Sequence, residues 1–209
     1  MNSQLKSQKW LEILNQITSL AQSGLYYSKD VYDQERYIQL LAHVSNLLEL
    51  ESFNAQEFSH NLLQDIGYAT PKLDVRAVVF QDDKILLTRE VQDGRWSLPG
   101  GWADVGYSAS ENVVKEVLEE TGIRVKVTQL ISLLDYRKHP YPPMFLHAYK
   151  AFFLCEVIGG ELRASLETSE SGYFSIDELP PISEGRVTTA QVKDLFSYLV
   201  DPVTQTYFD

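Results

Sequence analysis

Apolar side chains in the first 70 residues recur at helical spacing with little glycine between them. Trp10, Leu11, Leu14, Ile17 and Ala21 form one stripe. Tyr37, Leu41, Val44 and Leu48 form a second, and Phe58, Leu62 and Ile66 a third behind Asn54 and Glu57, which are spaced as a capping box. The pattern predicts three short amphipathic helices. So small a helical segment buries little core alone, and it is expected to pack against the rest of the chain or against a second copy.

At Thr70-Pro71 the period changes from helical to extended, placing a boundary between a helical domain over 1–69 and a second domain over 70–209. Val75 to Phe80, then Asp82-Asp83, then Ile85 to Thr88 read as a hairpin. Ile123, Val125 and Val127 alternate with polar residues as a strand, and Ala148 to Ile158 form another that ends at Gly159-Gly160. Between them lies a helix with a capping box at Ser108 and Glu111, an inward face of Val113, Val114, Val117 and Leu118, and a stop at Gly122. A last helix is predicted from about Val187 to Leu199. The fold class is α/β, with helices at the N-terminus and a mixed sheet after them.

Charge narrows the function. With 18 Lys and Arg against 29 Asp and Glu, the 209 residues carry a net charge of -11. A surface of that sign repels polyanions, so a nucleic-acid partner is not expected and an anionic substrate is expected to arrive with a cation. The single cysteine, Cys155, excludes an internal disulfide and a cysteine zinc cluster, and its apolar strand makes it inert core. No stretch approaches a membrane span and the first residues lack a signal-peptide core, which reads as a soluble cytoplasmic protein.

The central helix carries Glu116, Glu119 and Glu120 in its last turns, at i, i+3 and i+4. Like charges at this spacing repel, and the negative helix end disfavours them, although an exposed acidic face tolerates both effects. Upstream, Leu98-Pro99-Gly100-Gly101-Trp102 allows close backbone approach. Carboxylates beside exposed backbone suit Mg²⁺ or Mn²⁺, which favour oxygen ligands and complete their shell with substrate phosphates.

These residues resemble the signature of the Nudix hydrolases: Gly, five residues, Glu, seven residues, then Arg-Glu-U-x-Glu-Glu-x-Gly-U, with U a bulky aliphatic. Gly101 opens it and Lys115 to Ile123 close it, with Tyr107 and Lys115 standing where the family has Glu and Arg. Those two family residues usually pair and brace the loop against the helix, so a Tyr107 hydroxyl to Lys115 ammonium bond is the expected remnant, without the Arg fork.

The resemblance implies Glu116 and Glu120 as main metal ligands, Glu119 as a further ligand or the group that orients water, and the Gly100 carbonyl as an additional ligand. It places the general base on helix glutamates Glu119 and Glu120 or on a separate loop, where Glu167 and Glu170 are the candidates, each also readable as an ordinary exposed carboxylate. Arg76 and Arg89 are candidate phosphate contacts and equally readable as a solvated strand face. His139, between Lys138 and Pro140, is a candidate substrate contact, or else a structural loop histidine. His43 and His60 read as helix surface.

Asp74-Val75-Arg76, Lys138 to Met144, Tyr149 to Glu161, Arg186-Val187-Thr188 and the helical N-terminus are similar to a bacterial subgroup described as CDP-choline or ADP-ribose pyrophosphatases. The implied reaction is metal-assisted attack of water on a nucleoside diphosphate linked to another moiety. The competing readings are a hydrolase of RNA ends and a catalytically impaired nucleotide-binding module. A homodimer is expected.

Overall fold

The computed structural model describes residues 3–50, 67–165, 168–200 and 205–209, with the side chains of 3–7 left aside. The chain divides into two compact units, Met1–Pro71 with Pro143–His147, and Lys72–Pro142 with Ala148–Asp209.

In the first unit α1 (Ser3–Tyr27) and α2 (Val31–Leu50) are two long helices rather than short ones. The break between them is set by Asp30, whose carboxylate accepts from the Tyr32 and Asp33 amides at 2.9 and 3.1 Å and caps α2. Leu11, Leu14, Val44 and Leu48 bury one cluster, with Trp10, Ile17 and Phe145 packed on it. Ala21 and Leu41 continue the seam with Tyr37 beside them. Both stripes read from the sequence therefore face inward. The third, with Phe58, Leu62, Ile66 and the nearby His60, lies outside the described residues, and His43 is exposed as expected.

The second unit is a seven-stranded mixed sheet among the described residues. Its strands are β1 (Lys72–Gln81), β2 (Lys84–Glu90), β3 (Trp96–Ser97), β4 (Ile123–Asp135), β5 (Ala148–Gly160), β6 (Thr168–Phe174) and β7 (Tyr207–Phe208). The order is β3-β2-β1-β5-β4-β7, with β6 on β2. β1 and β5 pair in parallel from Lys72↔Ala148 to Val79↔Cys155, whereas β1–β2 and β4–β5 are antiparallel. Asp82 and Asp83, at φ 51° and 59°, make the predicted hairpin turn.

One sheet face, with Val75, Ala77, Val79, Ala151 and Phe153, packs on Val113 and Val117 of α3 (Ala109–Thr121). The opposite face, with Val78, Ile131 and Phe152, packs on Val192 and Leu195 of α4 (Thr189–Leu195) and on Phe196. The result is the expected α/β/α sandwich. Cys155 is buried in the first face and its thiol is pushed up to about 12 by desolvation, which keeps it inert.

The last helix differs from expectation. It starts at Thr189, because Thr188 accepts the Gln191 amide at 3.1 Å as an N-cap, and it breaks at Phe196 before a short α5 (Ser197–Val200). The Phe196 amide turns to Lys193 O, and Ser197 Oγ donates to Asp194 O at 2.6 Å; such local bonds compete with the helical ladder. No described helix is long and apolar enough to cross a membrane.

Candidate active site

β1 keeps much of one edge free of β2, since the hairpin pairs only at Phe80↔Ile85 and Gln81↔Lys84. The glycine loop takes that edge. Ala77 N donates to Pro99 O, Val75 N to Gly101 O and Ala103 N to Leu73 O, each at 2.8 Å. Gly100 is obligatory in this ladder: its φ is 136°, and a Cβ there would lie 2.0 Å from Val75 O. Its carbonyl takes no bond of the ladder, and its amide turns to Glu120 Oε2 at 3.1 Å.

Helix α3 delivers that carboxylate. Its start is fixed by the predicted box, with Glu111 N donating to Ser108 Oγ at 3.3 Å and Ser108 N to Glu111 Oε2 at 2.8 Å. Its end is fixed by Gly122 at φ 77°, whose amide returns to Leu118 O. Thr168 Oγ1 of β6 donates to Glu120 O at 2.7 Å, tying the last turn to the sheet.

The three glutamates are not equivalent. Glu120 is only 6% exposed, and its carboxyl is pushed up to about 8 by burial, with the charges of Glu90 and Glu116 acting in the same direction and Arg76 and the Gly100 amide against it. Glu116 is half-buried and lies over Gly101, with Oε2 3.5 Å from where a Cβ would stand. Glu119 is exposed and meets Lys115 Nζ at 3.3 Å. The structure thus brings Glu116 and Glu120 to the loop and turns Glu119 outward.

The fit to a divalent cation follows from this donor set. Burial foremost, with the charges of Glu90 and Glu116 adding to it, disfavours the ionised form of Glu120 beside Gly100, and a cation there would offset that cost and favour the carboxylate. Among the described residues no three acidic, His or Cys groups already surround one point, so a cation would have to draw its ligands together.

The Tyr107–Lys115 bond expected from the sequence is absent from the geometry. Tyr107 is 55% exposed, and Lys115 donates to Asp104 Oδ2 at 2.9 Å instead, three residues earlier in the loop. The reason is steric order along the chain: Tyr107 directly precedes the N-cap, whereas Asp104 is held against the helix by Asn112.

Arg76 does not present a solvated strand face. It is 4% exposed, forks onto Asp74 at 2.7 and 3.1 Å, and donates to Leu98 O at 3.1 Å beneath the loop. Lys150 of β5, 2% exposed, donates to the same Asp74 at 2.9 Å and lies over the stacked rings of Tyr136 and Tyr141. Burial and Arg76 push the Lys150 ammonium down to about 8. Burial alone would raise the Asp74 carboxyl, but the two cations hold it below its ordinary range.

Two further candidates cancel each other. Glu170 lies in strand β6, not on a loop, opposite Arg89 of β2, and the two exposed side chains pair at 3.4 Å while Arg89 Nε donates to Gly94 O. Glu167 lies outside the described residues. His139 contacts Asp209 through Nε2 at 3.2 Å rather than any of the three helix glutamates. Sequence reading missed Asp74, Lys150, Glu90, Asp104, Asn112 and Thr168; only the Asp74/Arg76 alternation on one strand face carried a usable signal.

Comparison with known proteins bears on this geometry. Residues 70–196 match a family described as the NUDIX domain, and residues 8–62 one described as a UDP-X-like, N-terminal oligomerisation domain. A Bacillus subtilis (strain 168) protein named "Putative ADP-ribose pyrophosphatase YjhB" is 43% identical over 202 residues, 96% of this chain and 97% of that one. The crystal structure of a Streptococcus suis ADP-ribose pyrophosphatase is 46% identical with TM-score 0.61, covering 67% of this chain and all of the other. The crystal structure of a UDP-X diphosphatase is 32% identical with TM-score 0.63, over 97% of this chain and 99% of that one.

Proposed function

Because this chain belongs to the Nudix hydrolase family, we propose that it is a divalent-metal-dependent pyrophosphohydrolase. Its substrate is a nucleoside diphosphate linked to a second moiety, of the ADP-ribose, UDP-linked or CDP-choline type, and its products are a nucleoside monophosphate and a phosphorylated moiety. The carrying observation is the pair Glu116 and Glu120 set by α3 against the Gly100-Gly101 loop.

Glu116, Glu120 and the Gly100 carbonyl would hold Mg²⁺ or Mn²⁺, with Glu119 as an additional ligand or water-orienting group. When bound, the cation neutralises the diphosphate and acidifies the attacking water. The chain's own residues do the rest. Arg76 fixes the Leu98 carbonyl from below, so the loop keeps its register on β1. Gly100 donates its amide to Glu120 and so orients that carboxylate toward the loop. Glu119, exposed and paired with Lys115, is the helix carboxylate assigned in this reading to accept a proton from water, which would require it to turn from Lys115 toward the loop. Arg89 of β2 and Glu170 of β6 pair across the two strands, and a substrate phosphate would have to separate them to use Arg89.

The helical unit supports a homodimer. Ile13, Leu20 and Tyr27 repeat every seven residues on α1, away from its buried stripe, and Leu20 is 73% exposed. The name of the family matched by residues 8–62 points the same way. The reading is tested by offering CDP-choline, ADP-ribose, UDP-sugars and capped RNA ends with Mg²⁺ or Mn²⁺. Monophosphate release from the small diphosphates supports it; release only from RNA, or from none, contradicts it.

A further inference from the structure

Loop 102–107 is tied to α3 by more than its capping box. Asn112, fully buried, takes the Asp104 amide on Oδ1 at 2.9 Å and gives Nδ2 to the Asp104 carbonyl at 3.2 Å, so the backbone of Asp104 is gripped on both sides. The Asp104 side chain then meets Lys115 Nζ at 2.9 Å, and the same ammonium reaches Glu119 Oε2 at 3.3 Å. Lys115 and Glu119 are one helical turn apart, and Asn112 lies one turn before Lys115, so these residues run down one edge of α3. Ala103, next to Asp104, donates to Leu73 O and closes the ladder on β1. One continuous line of contacts therefore connects the β1 edge, the loop, and the carboxylate of Glu119.

We propose that Asp104 and Lys115 are a positioning pair that fixes the glycine loop to α3 and holds Glu119 in register with it. The pair does by another route what Tyr107 cannot do from its exposed place ahead of the N-cap. Asp104 supplies the carboxylate, Asn112 supplies its fixed backbone, and Lys115 divides its donors between the loop and the metal-site helix. Asp104→Asn keeps the backbone grip and removes the charge. Lys115→Met keeps the aliphatic stem and removes the ammonium, and Lys115→Arg preserves both contacts.

The positioning role rests on the proposed hydrolytic site, but the contact is tested on full-length, metal-free protein without substrate. Amide hydrogen exchange is followed at Ala103 and Asp104, with the Ala77 amide as the internal reference for the ladder. Asp104→Asn and Lys115→Met should each speed exchange at Ala103 and Asp104 by about threefold to fivefold, the range an exposed ion pair supports. The double variant should match either single, because both remove one interaction, and Lys115→Arg should stay near wild type. In the loaded protein the same two variants should raise the half-saturating Mn²⁺ concentration, read by paramagnetic resonance, by a similar factor. Unchanged loop exchange in both single variants, or a double variant equal to the product of the singles, overturns the proposal. If Asp104→Asn loosens Ala77 as well, Lys115→Met against Lys115→Arg decides alone: equal exchange in those two overturns the pair.

Discussion

The Gly100 amide donates to Glu120 Oε2 at 3.1 Å, so loop and helix meet at a carboxylate that is nearly sealed from water. Burial pushes that carboxyl up to about 8, against 4.5 for an ordinary glutamate. In the metal-free protein the folded state therefore holds a proton that the unfolded chain has lost, and stability must fall as pH rises from about 4.5 towards about 8. Glu120→Gln, which mimics the protonated group, should flatten this fall in urea melts. In wild type the apparent affinity for Mg²⁺ should climb over the same window by at most about tenfold per pH unit, since one proton is displaced.

Gly100→Ala tests the loop backbone. A Cβ 2.0 Å from Val75 O at φ 136° forces the loop off β1. We expect a loss of about 2 kcal/mol or more in denaturant unfolding, with turnover falling further than stability alone requires, as for other strained backbone sites. A variant that melts and turns over like wild type would show the loop is not held as described.

The Asp74–Arg76–Lys150 cluster makes an asymmetric prediction. Asp74→Ala strands two buried cations and should cost about 3–5 kcal/mol, whereas Lys150→Met leaves the Arg76 fork intact and should cost much less. Lys150, pushed down to about 8 from 10.5, binds its proton less tightly folded than unfolded, so stability should recover as pH rises from about 8 to about 10.5. Lys150→Met should abolish that recovery and leave the fall below pH 8 in place.

The dimer is tested at Leu20. Leu20→Glu puts a charge on the exposed seven-residue stripe of α1 and leaves Leu11 and Leu14 in their cluster. Light scattering at micromolar concentration should give a dimer mass for wild type and a monomer mass for the variant. A monomeric wild type removes the claim.

Local features of this chain were legible in the sequence. The Leu11/Leu14/Ala21 and Leu41/Val44/Leu48 stripes, the Ser108–Glu111 box, the Gly122 stop and the Asp82-Asp83 turn all encode a period or a terminus within a few residues. The relationships that set the site's charge were not legible in the same way. Lys150 meets Asp74 across 76 residues through the pairing of β1 with β5, and Thr168 meets Glu120 across 48 where β6 meets the end of α3; neither contact leaves a local pattern. Lys115 chose Asp104 because Asn112 pins that residue, a three-body arrangement that motif spacing alone does not contain. Glu170 reads as loop because its strand, Thr168–Phe174, carries mostly polar residues and a glycine rather than an alternating apolar set.

Monophosphate release from ADP-ribose, followed with and without Mg²⁺ or Mn²⁺ for wild type and Glu120→Gln, tests the site most directly. Wild type should release monophosphate only with metal, and the variant, although folded, should lose at least about 100-fold. Equal release by both proteins, or release by wild type after exhaustive chelation, would contradict a reaction centred on Glu120 and the Gly100 loop.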